Sequence, residues 1–245
     1  MLRAFAISIP VVAGLLGAAW HLGPVRGVGA SLAGAGTLLP AVTDELTGEA
    51  SVIDGDTIEI DGQRVRLEGI DAPEAAQRCT AKWVGTWPCG REATRALVDL
   101  SEGRVLTCRR TGTDRYGRFL GVCFKDGLDI NAEMVRRGLA WAFVKYSSRY
   151  VGEEAEARGK KIGIWQANTM PAWDYRANTW ARAAAGGVTN AECVIKGNVT
   201  RHGRIYHMPW SPWYDSVNMA EGSGKCWFCD EAEAREAGWR PAMGS

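Results

Sequence analysis

The chain has 245 residues and a formal net charge of +1 at pH 7. This length suits one full domain with a smaller companion. The balanced charge gives no whole-chain signature of nucleic-acid binding, so any attraction of an anionic substrate has to come from local clustering. Between Ser101 and Gln166 there are thirteen Lys/Arg and eight Asp/Glu, a modest excess that a solvated basic face would also show. No histidine lies between His21 and His202, which excludes histidine-based nucleases and phosphodiesterases for the main domain.

Residues 1–41 are predicted to be a signal peptide or membrane anchor followed by a linker. Arg3 precedes the uncharged run "AFAISIPVVAGLLGAAW", whose length lies between that of a signal-peptide core and a spanning helix. Membrane contact is expected through residues 4–25, and cleavage after Ala19 would release the protein. A buried N-terminal helix is the alternative, but "GVGASLAGAG" has no helical face to pack. The expected location is the periplasm or the cell exterior, in released form or anchored to the inner membrane.

A β-hairpin is predicted at the start of the main domain, residues 42–168. Ile58, Ile60, Val65 and Leu67 alternate with polar residues around Asp61-Gly62, a strong hairpin signal. The alternation places Arg66 on the face away from the core, available to solvent or substrate.

The following elements complete a barrel. A helix is predicted from Gly90 to Leu100, then strands at Arg104–Arg109 and Phe119–Phe124, then helices in "DINAEMVRRGLAWAF", with Gly138 as a C-cap, and in "VGEEAEARGKKIGIW". This order predicts an α+β fold, a five-stranded β-barrel of the oligonucleotide/oligosaccharide-binding (OB) kind with about three helices. Residues 169–191 are predicted to be a linker and residues 192–241 a small C-terminal domain.

The cysteines indicate an oxidising compartment. Cys79 and Cys89 flank a loop of ten positions, and Cys108 and Cys123 lie on two consecutive strand-like runs. Both pairs are candidate disulfides. The remaining three cysteines belong to the tail and are odd in number.

Two acidic motifs, "DGDT" and "DAPE", lie at the two ends of the hairpin in "VIDGDTIEIDGQRVRLEGIDAPE". Taken alone, each motif is typical of a turn or loop. Brought together, Asp56 and Asp71 would offer the oxygen ligands that hard cations prefer. Simple alternation puts Asp56 on the same face as Ile58, so a bend near Gly55 has to redirect it.

The segment from about Ala50 to Gln166 resembles the staphylococcal nuclease (thermonuclease) family through "IDGDT", "RLEGIDAPE", "GREA", "TDRYGR", "NAEMVRRGLAWA" and "AEARGKKIGIW" in the family's order and spacing. The resemblance implies that Asp56, Asp71 and the backbone carbonyl of Ala72 bind Ca²⁺. It also implies that Glu74 is the general base that activates water. Arg66 and Arg118 would then grip the scissile phosphate.

The same resemblance implies how substrate binds. Arg115 and Tyr116 match positions near the terminal phosphate of the nucleotide, and Tyr146 matches an aromatic against which a base stacks. Val144 stands where the family has a second tyrosine. The expected function is an exported, calcium-dependent nuclease acting on DNA and RNA and leaving 3′-phosphate ends. The alternative is a catalytically idle OB module that binds an oligonucleotide or a polysaccharide, but its acidic and arginine residues would be expected to be lost, and here they are intact.

The tail resembles the small sunset domain through "IKGN", "IYHMP" and "KCWFCDEAEAREAGWRPA". That domain follows nuclease domains in exported bacterial proteins, some of them from exopolysaccharide gene clusters, which leaves a link to exopolysaccharide production open. The resemblance implies a bridge between Cys193 and Cys229, with Cys226 unpaired. The alternative is a zinc site made by Cys193, Cys226, Cys229 and His207.

Overall fold

The computed structural model describes residues 45–186, 193–219 and 224–243. The strands in chain order are β1 (Glu45–Asp54), β2 (Thr57–Ile60), β3 (Gln63–Leu67), β4 (Ile70–Asp71), β5 (Cys79–Thr80), β6 (Thr86–Trp87), β7 (Val105–Thr113), β8 (Phe119–Lys125), β9 (Leu128–Asp129), β10 (Trp141–Ala142), β11 (Ile195–Thr200), β12 (Gly203–His207), β13 (Lys225–Phe228) and β14 (Arg240–Pro241). The helices are α1 (Cys89–Ser101), α2 (Ile130–Arg136), α3 (Val151–Lys160), a 3₁₀ turn (Gly163–Gln166), α4 (Ala172–Ala185) and α5 (Glu231–Glu236).

The export or anchoring segment predicted for residues 1–41 lies outside the described residues. Within those ranges, no helix has both the length and the apolar character needed to cross a membrane.

A closed five-stranded barrel forms the main domain. Its strands follow the order β3-β2-β1-β7-β8, and a parallel pairing of β3 with β8 closes the ring. The inward positions are fully buried, which leaves the interior packed with aliphatic side chains: Ile58, Ile60, Val65, Leu67 and Leu106. The α+β class and the OB barrel predicted from the sequence are therefore confirmed.

The predicted hairpin joins β2 to β3. Asp61 and Gly62 both have positive φ angles, 50° and 75°, as a two-residue turn between twisted strands requires. The register pairs Thr57 with Arg66 and Ile58 with Val65. Val65 is buried in the barrel, so Arg66 points to the other side of the strand, where the candidate site lies.

Two segments differ from the sequence prediction. The helix expected in "DINAEMVRRGLAWAF" ends at Arg136, and the chain returns as β10, which pairs with β4 and aligns Trp141 with Asp71. The expected linker, 169–191, is helical over Ala172–Ala185. This helix is stabilised by tertiary packing, because Ala172 is fully buried and Trp173 packs in a cluster with Trp141.

The tail forms a second, smaller sheet. Its strand order is β13-β11-β12-β14, antiparallel except for the parallel pairing of β12 with β14. Ile195, Tyr206, Met208, Phe228 and Ala234 make its core.

Three disulfides cross-link the described part of the chain. They join Cys79 to Cys89, Cys108 to Cys123, and Cys193 to Cys229. The predicted pairs are confirmed, and they indicate folding in an oxidising environment. The zinc alternative is wrong, because two of its four ligands are consumed by one bridge. Cys226 is an exposed free thiol.

Mass spectrometry of the denatured, unreduced protein after alkylation should find one modified cysteine, Cys226. After reduction, all seven cysteines should be alkylated. Cys226→Ser should remove the single label without reduction. Labelling of Cys79, Cys89, Cys108 or Cys123 in the unreduced protein would contradict the bridges and the oxidising environment.

Candidate active site

The turn between β1 and β2 brings Asp56 to the hairpin's other acidic motif. A register shift between Val52 and Asp54 bends the end of β1. Gly55 packs directly on Ala72, where a Cβ on Gly55 would lie 2.8 Å from the alanine Cβ. The Ala72 N–H donates to Oδ2 of Asp56 at 2.8 Å. The bend near Gly55, which strand alternation required in order to redirect Asp56, is therefore present.

Arg66 joins the two aspartates. Its Nη1 donates to Oδ1 of Asp56, and its Nη2 donates to Oδ1 of Asp71 at 2.9 Å. The Asp71 side chain has no exposed surface, since β4 is covered by β10. The Arg66 side chain is only 19% exposed, so it is far less open to solvent than the strand pattern suggested. Burial lowers the pKa of Arg66, and the positive charge of Arg118 adds to this.

Glu74 lies on the loop after β4, and that loop is fixed at several points. The Glu74 N–H donates to Oε1 of Gln77, and the Gln77 N–H donates back to the Glu74 carbonyl at 2.7 Å. Nε2 of Gln77 donates to the Met170 carbonyl at 2.8 Å, which ties the loop to the start of α4. Gly90 of α1 lies against the Glu74 carbonyl so closely that a Cβ there would be 1.7 Å from the oxygen. Burial raises the pKa of Glu74 to about 7, and Arg176 opposes this shift.

Arg176 of α4 is a site residue that the sequence interpretation missed. Its Nη1 donates to Glu74 Oε1 at 2.6 Å and to Asp71 Oδ1 at 3.1 Å, and its Nη2 donates to Asp71 Oδ2 at 2.8 Å. Burial lowers the pKa of Arg176, but the charges of Asp71 and Glu74 outweigh burial and raise it above its ordinary value. The available signal was the spacing of Trp173 and Arg176, which share one face of a helix at positions i and i+3.

The other predicted arginine, Arg118, lies on the loop between β7 and β8. Its Nε donates to Asp114 Oδ2 at 2.6 Å, and its guanidinium lies 5.5 Å from the Tyr116 ring centroid. Among the described residues no hydrogen bond links Arg118 to Asp56, Asp71 or Glu74. Its effect on the pKa of Arg66 places it within electrostatic reach of the cluster. Arg115 lies 4.6 Å from the same tyrosine ring.

Three aromatic rings, those of Tyr146, Phe143 and Trp173, pack in a row that ends on α4. Tyr146 is 70% exposed and packs edge-on against Phe143, with 4.9 Å between ring centroids. Phe143 stacks in turn on Trp173 at 5.7 Å and 12°. Val144, at the position of the expected second tyrosine, is exposed. The exposed ring of Tyr146 is thus supported on one side by packed aromatic rings.

The oxygen donors of Asp56 and Asp71 suit a hard divalent cation. Each carboxylate contacts a different terminal nitrogen of the Arg66 guanidinium, so the two lie close to each other. No group of three or more His, Cys, Asp or Glu in the described ranges is arranged to hold a metal ion. A cation at this point would therefore complete its shell with water and substrate oxygens, as hard cations commonly do.

Two family models match the chain. One, described as staphylococcal nuclease homologue, matches residues 64–167, and the other, ArfC, matches residues 174–241. The first range contains Arg66, Asp71, Glu74 and Arg118, whereas Arg176 falls in the second. The resemblance of the tail to a sunset domain stays a prediction.

Curated relatives match the same half of the chain. An uncharacterized endonuclease of Escherichia coli is 38% identical over 133 residues, 51% of this chain and 80% of that protein. The succinoglycan biosynthesis protein ExoI of Rhizobium meliloti (strain 1021) is 40% identical over 127 residues, 51% of this chain and 66% of that protein. The staphylococcal-like nuclease CAN1 of Arabidopsis thaliana is 36% identical over 118 residues, 47% of this chain and 33% of that protein. The chain thus spans a little under two thirds of the rhizobial protein and one third of the plant protein.

Replacing Gly90 by alanine should destabilise the fold by about 1–3 kcal/mol, because the new methyl group would displace the Glu74 carbonyl from a packed position. Urea unfolding measures the change. Gly159→Ala is the matched control: it lies in α3 with open space around its Cβ position, and we expect a gain of about 0.5–1 kcal/mol. Equal stability of Gly90→Ala and the parent would contradict the close packing.

Proposed function

Because the chain belongs to the staphylococcal nuclease homologue family, we propose that it is a calcium-dependent nuclease that hydrolyses phosphodiester bonds of DNA and RNA. The observation that carries this proposal is the clustering of three carboxylates around two arginines: Asp56 and Asp71 contact Arg66, and Asp71 and Glu74 contact Arg176. These residue types match the task, because a phosphodiester needs a base for water and positive charge for its oxygens.

Glu74 is assigned as the general base. Its carboxylate takes a proton from the attacking water, whose oxygen then forms the new bond to phosphorus. The bond to the 5′-oxygen breaks, that oxygen takes a proton from solvent water, and a 3′-phosphate end is left. Burial of the carboxylate favours this role, because a base whose pKa lies near 7 accepts a proton readily at neutral pH.

Arg66 and Arg118 are assigned to the phosphate. A guanidinium donates two parallel N–H bonds to phosphate oxygens and neutralises the charge that develops on them. Arg118 stabilises charge and does not act as an acid, because an arginine stays protonated under ordinary conditions. Asp56, Asp71 and the Ala72 carbonyl would hold the calcium ion, which supplies further positive charge beside the phosphate.

Three further residues are assigned to substrate binding. Arg115 and Tyr116 are assigned to the terminal phosphate of the nucleotide. Tyr146 is assigned to base stacking, which tolerates all bases and fits a nuclease that accepts both DNA and RNA.

The protein is proposed to act outside the cytoplasm. The three disulfides support export, and residues 4–25 would carry the export or membrane signal. On this proposal the chain divides into the N-terminal segment 1–41, the nuclease domain 42–168, the connecting segment 169–191 with α4, and the C-terminal domain 192–241.

A second candidate function is a role in exopolysaccharide production, either as a nuclease or as an idle polysaccharide-binding barrel. The observation that favours it is the 40% identity to a protein named for succinoglycan biosynthesis. The intact set of carboxylates and arginines favours catalysis over an idle barrel.

The purified protein should cleave single-stranded DNA and RNA with calcium and should not cleave with chelator. Glu74→Gln should lower kcat by about 100-fold or more, since the base is lost while the shape is kept. Glu92→Gln on α1, with a side chain 43% exposed, should behave as the parent. Absence of calcium-dependent cleavage, or a Glu74→Gln protein as fast as the parent, would refute the nuclease assignment.

Asp71→Asn should weaken calcium binding by about tenfold or more, because one of two carboxylate ligands becomes neutral. Isothermal calorimetry without substrate measures this. Asp126→Asn is the control, since Asp126 is exposed in the turn between β8 and β9 and asparagine tolerates its positive φ. Unchanged affinity of the Asp71 variant would remove Asp71 from the calcium site.

A further inference from the structure

Helix α4 is firmly docked on the nuclease domain. Ala172 is fully buried, and Trp173 packs against Trp141 at 5.9 Å and stacks on Phe143 at 5.7 Å. Just before the helix, the Met170 carbonyl accepts a hydrogen bond from Gln77 on the Glu74 loop. The first turn of α4 is therefore fixed relative to that loop, and Arg176 lies one turn after Trp173.

Arg176 bridges the two acidic residues of the "DAPE" motif. Its side chain is 23% exposed, whereas that of Glu74 is 11% exposed and that of Asp71 is fully buried. One guanidinium nitrogen contacts both carboxylates, so Asp71 and Glu74 lie within two hydrogen-bond lengths of each other. Without a shared cation, two buried carboxylates at this separation would repel each other.

The hydrogen bonds of the two arginines do not use every acceptor position of Asp56 and Asp71. A carboxylate offers about four lone-pair sites. At Asp71, Oδ1 accepts from Arg66 and Arg176, and Oδ2 accepts from Arg176 alone. At Asp56, Oδ1 accepts from Arg66 and the Thr57 hydroxyl, and Oδ2 accepts from Ala72. Within the described ranges, each Oδ2 accepts one hydrogen bond only, so the number of acceptor positions does not by itself require a cation to displace Arg176.

Glu74 depends on Arg176 for its orientation. Within the described part of the chain, the hydrogen bond from Arg176 is the only one that its carboxylate makes. The loop contacts described above fix the Glu74 backbone, but they leave its side-chain torsions free. We propose that Arg176 is a positioning residue of the nuclease site, holding the Glu74 carboxylate at a fixed place beside Asp71.

This proposal rests on the nuclease function proposed above, and it assigns a role to a residue outside the nuclease family match. The match ends at residue 167, and Arg176 lies in the range matched by the ArfC model. The C-terminal segment thus completes the active site. A lysine at position 176 would not replace the arginine fully, since an ammonium lacks the planar fork that contacts both carboxylates at once.

The test compares Arg176→Gln, Arg176→Lys and the double variant Glu74→Gln/Arg176→Gln with the parent in calcium-dependent cleavage. Arg182→Gln, an exposed position on the same helix, is the control. Arg176→Gln should lower kcat about 10- to 100-fold, as expected when a reacting group loses its supporting contact. We expect KM to change less than about threefold, and Arg176→Lys to recover part of the rate. The double variant should cut at the rate of Glu74→Gln alone, because Arg176 acts through Glu74.

Calorimetry provides a readout independent of cleavage. Calcium affinity of Arg176→Gln should not fall more than about threefold below the parent, since the variant removes a positive charge beside Asp71 Oδ2 and takes no calcium ligand away. Tighter calcium binding with faster cleavage would mean that Arg176 competes with the metal, and would overturn the proposal. Losses that multiply in the double variant would also overturn it, because they would indicate a general structural role.

If the parent cleaves and Arg176→Gln cleaves equally well, the positioning role alone fails. If the parent does not cleave, the nuclease function fails and the positioning role with it.

Discussion

Burying the carboxylates of Asp56, Asp71 and Glu74 together costs several kcal/mol per charge unless cations are placed beside them. The structure meets this constraint with Arg66 and Arg176, whose guanidinium groups form a chain of alternating charges across the three acids. Each bridging arginine contacts two carboxylates, so a fork geometry is needed at both positions. The three carboxylates are consequently held in fixed positions relative to one another, and fixed polar groups of this kind lower the reorganisation that a catalysed reaction requires.

This pairing makes the active site depend on two distant parts of the chain. Arg66 comes from the barrel itself, and its direction follows from the β2–β3 register. Arg176 comes from α4, 105 positions after Asp71, and its place depends on the tryptophan cluster that docks the helix. The same cluster includes Cys79 and Cys89, whose disulfide closes the loop that follows Glu74. Packing, the disulfide and charge pairing therefore all fix the backbone around Glu74.

The sequence predicted the elements whose signals are local. Alternation around Asp61-Gly62 identified the hairpin and the face of Arg66, and the order of strands and helices identified the barrel. The β4–β10 pair was missed because two residues of pairing leave no periodic signal. Helix α4 was missed because its alanine-rich, weakly amphipathic sequence reads as a linker, although tertiary packing stabilises it. Arg176 could not be assigned for the same reason: its partners are fixed by docking and not by any pattern near it.

The C-terminal domain also lies against the loop between β7 and β8. Arg235 of α5 is held by Glu231 and the Tyr206 hydroxyl, and its guanidinium lies 5.9 Å from the Tyr116 ring centroid. Tyr116 belongs to the β7–β8 loop with Arg118, the second arginine assigned to phosphate. The chain beyond residue 168 therefore contacts two loops with residues proposed to act in catalysis, the Glu74 loop through α4 and the Arg118 loop through α5. Both contacts involve arginines of that segment, Arg176 and Arg235, so a shift of the segment would change the surroundings of Glu74 and of Tyr116 together.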